Sequence, residues 1–249
     1  MKLTQSAFIV VALVTTNVGP AVAATDNNTN GWYMYFGDHP IAKTRWGIHL
    51  EGQWRRTELG LKWQQLLLRP GVNFQLTKKV ALTGGYGFIQ THRYGDFPAA
   101  AAFPEHRFFE QATITQRVWK LDFQNRLRFE QRNIGVMTRQ ADGAFDRTGW
   151  RYENRFRYML RTNIPLPVAG GKKYYLGLYD EVMFNYGKNV AFNVFDQNRA
   201  YIALGRNLPK ATRLEVGFME QTIQHRDGRV FEHNHTLQIA IYSRLPFGQ

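Results

Sequence analysis

The stretch LDFQNRLRFEQR runs from Leu121 to Arg132. Leu121, Phe123, Asn125, Leu127 and Phe129 fall in one phase of it; Asp122, Gln124, Arg126, Arg128, Glu130 and Arg132 fall in the other. A period of two is the mark of a strand, because successive side chains point to opposite faces. In a helix the same order would scatter both kinds of group around the circumference. Further along, WRYENRFRYMLR repeats the theme: Trp150, Tyr152, Phe156, Tyr158 and Leu160 alternate with Arg151, Glu153, Arg155, Arg157 and Arg161. Upstream, Trp46, Ile48, Leu50, Gly52 and Trp54 alternate with Gly47, His49, Glu51, Gln53 and Arg55.

Read outward in this way, the chain predicts strands at 44–56, 64–76, 79–91, 106–119, 121–133, 149–163, 172–186, 195–207, 211–224 and 231–245. These segments exceed the usual length of about 5–6 residues in soluble sheets. They suit a tilted crossing of a bilayer, which takes about 9–11 residues. Trp46 and Trp54 share a face eight residues apart. At about 3.4 Å per residue they stand about 27 Å apart along the strand, or about 21 Å vertically at a tilt of about 40°. That approaches the spacing of the two aromatic girdles on an apolar band of ~25 Å. The joins near 77–79, 119–120 and 207–210 are short and that near 165–172 moderate. They alternate with mostly longer joins at 56–63, 92–105, 134–148, 187–194 and 225–230, as periplasmic turns alternate with outer loops. The expected fold is an all-β transmembrane antiparallel β-barrel of about ten strands, with twelve as the alternative. GWYMYF at 31–36 is a short strand-like segment that could be an extra strand, a plug or a clasp.

The first 23 residues have the form of a secretory signal: Lys2, an apolar core from Ala7 to Val14, and the small-x-small site Ala21-Val22-Ala23. The expected division is therefore 1–23 signal peptide, 24–43 polar lead-in carrying the short strand-like segment, and 44–249 barrel. Hydrophobic residues make up 44% of the 249, which excludes a disordered chain. The absence of Cys excludes a disulfide framework, a cysteine nucleophile and a thiolate metal site. The full chain carries a formal charge of +13; removal of the signal takes away one Lys and leaves 31 basic against 19 acidic residues.

In a membrane barrel the apolar face meets lipid and the polar face lines the interior. Arg126, Arg128, Glu130, Glu153, Arg155 and Arg157 are then expected in one lumen network, in which guanidinium forks take carboxylates. A barrel of about ten strands sits nearer the filled eight-strand type than a wide aqueous pore. The lumen is thus expected to be mainly structural, or a narrow, anion-biased channel.

Several of these stretches carry a resemblance. HLEGQWR ending at Arg55, RPGVNFQL from Arg69, GGYGFIQ from Gly84 and EHRFFEQ from Glu105 are among them. So are RLRFEQR from Arg126, RYENRFRYMLR from Arg151, YLGLYDEVMFN around Glu181 and FDQNRAYIALG from Phe195. In this order they resemble an uncharacterised family of bacterial outer-membrane β-barrels, labelled domain of unknown function 2490, over roughly residues 31–245. The resemblance implies the fold and the outer membrane of a Gram-negative bacterium. It carries no activity over.

Chemistry is sparse. Ser6 lies in the signal, and Ser243 shares the phase of Leu237, Ile239 and Ile241, so it is expected to face lipid. His92 with Asp96, and His225 with Asp227, fall in two outer loops. They are the candidates for water activation in an alternative reading as a barrel hydrolase. Glu105-His106 opens a strand, and His233-x-His235 places two imidazoles on one face without the further ligands a metal needs. The Gly-rich strings at 84–87 and 169–172 lack the spacing of phosphate loops; glycines 84, 85 and 87 are expected to admit large neighbouring side chains. No cofactor or metal is expected, and enzyme activity is less expected than its absence. The expected partners are outer-membrane lipid and lipopolysaccharide, with a monomeric barrel and no nucleic acid. A soluble periplasmic β-barrel or sandwich that binds a small ligand is the remaining alternative.

Overall fold

The computed structural model describes residues 24–119, 121–167 and 173–248. The expected signal peptide and the string 169–172 lie outside the described residues. Among the described residues, eleven strands form one closed barrel. They are β1 (Ala24–Pro40), β2 (Trp46–Thr57), β3 (Lys62–Gln75), β4 (Val80–Thr91), β5 (Phe103–Val118) and β6 (Leu121–Arg139), followed by β7 (Phe145–Pro165), β8 (Tyr174–Tyr186), β9 (Phe195–Leu208), β10 (Thr212–Gln224) and β11 (Val230–Ser243). Each strand pairs with its sequence neighbour, and β1 pairs with β11 to close the ring.

Ten of these strands lie where the alternation places them; the eleventh is β1. Residues 24–43, expected as a polar lead-in, instead supply a 17-residue wall strand. The reason is long-range pairing. Ala24 to Gly37 align with Val230 to Ser243 on one side, and Asn30 to Pro40 align with Thr57 to Gly47 on the other. The side-chain amides of β1 donate within the wall: Asn28 Nδ2 to Asp26 Oδ1 at 3.0 Å, and Asn30 Nδ2 to Asn234 Oδ1 across the seam at 2.7 Å.

Eleven is odd, and an up-and-down meander with an odd number of strands must bring its first and last strands together in the same direction. The β1–β11 pair is accordingly parallel, whereas the other ten pairs are antiparallel. The wall is therefore mixed where an all-antiparallel one was expected, and closure needs no twelfth strand. The C-terminal segment extends the seam. Phe247 N donates to Pro40 O at 2.9 Å, Ala42 N donates to Phe247 O at 3.1 Å, and the Phe247 ring lies 4.9 Å from that of His39.

The join at 134–148 also differs from expectation. β6 and β7 run on as a paired hairpin, with a bulge between Val136 and Met137 and a turn at 140–144, where Gly143 takes φ +86°. Asp-Gly at such a tip supplies the positive φ that a tight hairpin needs.

The facing is that of a membrane barrel. Trp46 and Trp54 are 52% and 46% exposed, and Leu50, Leu68, Val72, Phe108, Phe129, Ile202 and Phe218 join them on the outside. Glu51, Arg55, Arg107, Arg128, Glu130, Arg155 and Arg157 are buried inside. An apolar belt of this extent around a charged interior would be untenable in water and is what a bilayer requires. The protein is an outer-membrane β-barrel. Part of its interior is apolar: Trp32, Met34, Tyr201, Ala203, Met219 and Ala240 form a buried cluster on the seam side, against which Phe36, Tyr179 and Tyr242 pack.

Candidate functional site

The site is the charged half of the lumen, built by the inward phases of β2 to β9. At its centre stands Glu130, fully buried on β6. Register sets Glu130 directly opposite Arg155, and Arg128 opposite Arg157. Arg155 donates to Glu130 Oε2 through Nε at 2.9 Å, and Arg157 Nη1 donates to Glu130 Oε1 at 2.8 Å. Arg69, Arg107 and Arg128 approach the same carboxylate at 3.7, 3.7 and 3.9 Å. Five guanidinium groups from four strands thus converge on one carboxylate.

Further pairs radiate from those arginines. Arg157 also donates to Glu181 through Nε at 2.9 Å and Nη2 at 2.8 Å, and Arg126 Nη2 donates to Glu181 at 2.7 Å. Arg155 Nη1 donates to Asp196 at 2.7 Å, and Asn185 Nδ2 donates to the other Asp196 oxygen at 2.9 Å. Glu105 takes Arg107 and Arg132, the latter through Nε at 2.7 Å. Arg69 Nη1 reaches Glu51 at 2.5 Å. Buried charges persist only when paired and hydrogen-bonded in this manner.

Five of the six expected network residues, Arg126, Arg128, Glu130, Arg155 and Arg157, meet in this cluster. Glu153 does not join Arg155 or Arg157. It lies nearer the outer end, where Arg151 Nε donates to it at 2.7 Å and Arg226 Nη1 at 3.1 Å. Sequence reasoning did not place Arg69, Arg107, Glu51, Glu105, Glu181, Asp196 and Arg199 in the network. Their inward phase on their own strands was the available signal; their convergence depends on register between distant strands.

Above this cluster lies a cavity of about 210 Å³, lined by eight arginines and three carboxylates together with Trp32, Tyr94 and several glutamines. Both Arg55 and Arg199 lie against the Trp32 ring, their guanidinium carbons 3.8 and 5.3 Å from the indole centroid. The Trp32 Nε1 donates to Gln64 Oε1 at 2.7 Å. The outer loop 92–102 folds toward this cavity. The Tyr94 hydroxyl donates to Glu232 Oε1 at 2.8 Å, and Asp26 accepts the backbone N–H groups of Asp96 at 3.2 Å and Phe97 at 3.4 Å.

The loop candidates for water activation do not form one site. The His92 ring lies 5.5 Å from that of Trp63. The Asp96 backbone, rather than its carboxylate, makes the contact with Asp26. Asp227 Oδ1 caps its own turn, accepting from the N–H of Arg229 at 2.9 Å, and those backbone bonds hold its carboxyl below the usual range. His225 instead pairs with Glu232, Nε2 to Oε2 at 3.1 Å, and this bond raises the imidazole pKa above 6.5.

Glu105 and His106 point to opposite faces: Glu105 enters the network, while His106 packs on the outside with its ring 4.9 Å from that of Trp150. His233 and His235 flank Glu220, at 3.8 and 2.7 Å. Among the described residues, no group of three or more His, Asp or Glu could hold a metal ion. Ser243, expected to face lipid, is buried at the base of the seam, near the N–H of Leu245 at 3.5 Å. Of the three glycines at 84–87, Gly85 lies under the Phe109 ring and Gly87 beside Arg69, whereas no side chain approaches Gly84.

The chain belongs to the family described as protein of unknown function (DUF2490), whose model matches residues 29–232. It is similar to an uncharacterized protein of Methylorubrum extorquens, with 25% identity over 193 residues that cover 72% of each chain. Among solved structures, the beta domain of the Bordetella autotransporter BrkA matches 74% of this chain and 79% of its own, at 10% identity and a TM-score of 0.42.

Proposed function

We propose that this member of the family is an outer-membrane barrel with a closed lumen, whose charged interior serves to hold the wall together rather than to pass solutes, and that it carries no catalytic centre. The observation that supports this reading is Glu130. It has no exposed surface and gathers arginines from β3, β5, β6 and β7, so side chains cross the lumen at its level. The separation of His92, Asp96, His225 and Asp227 into different local contacts supports the absence of catalysis. Membrane lipid covers the outward belt of a monomeric barrel. The exposed basic groups of the outer rim, among them Lys62, Arg93 and Arg229, meet the phosphates of lipopolysaccharide.

Planar-bilayer recording of the reconstituted protein tests the closed lumen. The expected result is a membrane as resistive as the protein-free control. Reproducible anion-selective steps would replace this reading with that of a narrow channel through the arginine-lined cavity.

A further inference from the structure

The cavity above Glu130 holds more positive charge than its own carboxylates neutralise, and the excess is localised. Of its eight arginines, six donate to a carboxylate within hydrogen-bond distance: Arg69, Arg107, Arg132, Arg151, Arg155 and Arg157. The other two are Arg55 and Arg199. Arg55 is 7% exposed, and its hydrogen bonds go to the amide oxygens of Gln53 and Gln65; among the described residues it has no carboxylate within 4.0 Å. Arg199 is 9% exposed and donates to Gln197 Oε1 at 3.0 Å, while Glu181 stands off at 3.9 Å. Both lie against Trp32 and line the same space.

A third guanidinium adds unused donors. Arg69, 2% exposed, lines the cavity with Nε and Nη2 lacking any hydrogen-bond partner. Buried guanidinium groups without acceptors are costly. Arg55 and Arg199, whose acceptors are neutral amide oxygens, carry positive charge that no carboxylate within hydrogen-bond distance offsets, and with the free donors of Arg69 they are the elements of an anion site, since guanidinium forks match oxyanion geometry.

We propose that this cavity binds a small oxyanion carrying two negative charges, of phosphate or dicarboxylate type, between Arg55 and Arg199 with Arg69 beneath. The charge matches the two arginines left without a close carboxylate. A cavity of about 210 Å³ has room for a small solute. Tyr94, on the loop whose backbone is pinned by Asp26, lines the cavity from the outer side and would contact the same solute.

The inference rests on the lumen being a closed interior, and the two can fail separately: conductance reports on closure, and binding reports on the site. The test is calorimetric titration of the detergent-extracted barrel with inorganic phosphate and, separately, with succinate, in a buffer free of other multivalent anions. Saturable binding of either is expected. It should weaken at least tenfold in Arg55→Gln and in Arg199→Gln, and stay unchanged in Arg206→Gln, which alters an exposed arginine outside the cavity. Heat-modifiable gel migration verifies that each variant is folded. Should a glutamine variant fail to fold, Arg55→Lys keeps the charge and removes the planar fork, and at least a threefold loss is expected. Binding of phosphate alone or succinate alone identifies the oxyanion. Binding of neither, or binding that these cavity substitutions leave unchanged, overturns the proposal.

Discussion

Replacing Glu130 with Gln isolates what the lumen network contributes to stability. The substitution keeps size and shape and removes one charge. Glu130 accepts three hydrogen bonds from two guanidinium groups, two from Arg155 and one from Arg157. A hydrogen bond to a charged group is worth about 1.5–3 kcal/mol. Both Arg155 bonds go to Oε2, so a Gln oxygen there can keep two of the three, now to a neutral acceptor, while the amide NH2 faces Arg157 Nη1 where an acceptor stood; one bond is lost outright, for about 1.5–3 kcal/mol. Arg155 and Arg157 each keep a second carboxylate, Asp196 and Glu181, which moderates the loss. Repulsion adds to it, because Arg69, Arg107 and Arg128 all stand within 4 Å of the vanished charge. The expected cost is about 3–5 kcal/mol, the range for breaking a buried ion pair by removing one partner.

Glu153→Gln is the internal comparison. Glu153 pairs with Arg151 and Arg226, whose side chains are 31% and 42% exposed, so solvent can take over their hydrogen bonds. Glu153 is itself buried, so the exposed-pair figure of about 1 kcal/mol is a lower bound, and a loss smaller than that of Glu130→Gln is expected. Urea unfolding of the detergent-embedded barrel, followed by tryptophan fluorescence and by heat-modifiable migration, measures both variants. Equal stability losses in the two, or a Glu130→Gln barrel as stable as the parent, would refute the claim that the central carboxylate organises the lumen.

The parallel seam and the position of the longer loops set the sidedness of the chain: β1 starts at the outer side and ends at the periplasmic side. A single Cys at Thr25 should therefore react with an impermeant maleimide on intact cells, while one at Lys78 should react only after the outer membrane is permeabilised. The His225–Glu232 pair adds a pH dependence at the outer rim. The folded His225 pKa is raised by its bond to Glu232, so the stabilisation is fully present below about 6.5 and is lost as pH rises through the folded value. The protection of amides 225–230 against hydrogen exchange, taken relative to the intrinsic base-catalysed rate, should fall above that pH in the parent, and His225→Asn should remove that fall.

What the sequence determined by itself was everything that depends on local alternation. The phases of 45–55, 121–132 and 150–161 located strands, assigned Trp46, Trp54 and Phe129 to the lipid and Glu130, Arg155 and Arg157 to the interior, and required a membrane around them. A period of two is a property of each strand alone, so it survives without any knowledge of partners. Strand β1 was not legible in the same way. Asp26, Asn27, Asn28 and Asn30 have poor strand propensity and become strand because β11, at the far end of the chain, pairs with them, β2 joining on the other side only from Asn30 onward. With β1 in the wall the count became eleven and the closure parallel.

The site followed the same division. Alternation showed which arginines and glutamates face inward, and only inter-strand register decided which of them meet. Glu130 opposite Arg155 could not be separated in advance from Glu153 beside Arg155, because a shift of two residues leaves every face unchanged and re-pairs every charge. The cavity between Arg55, Arg199 and Trp32 joins β2, β9 and β1. Those strands meet there only because the ring closes, so no local pattern in the chain could have marked Arg55 and Arg199 as the two cavity arginines left without a close carboxylate.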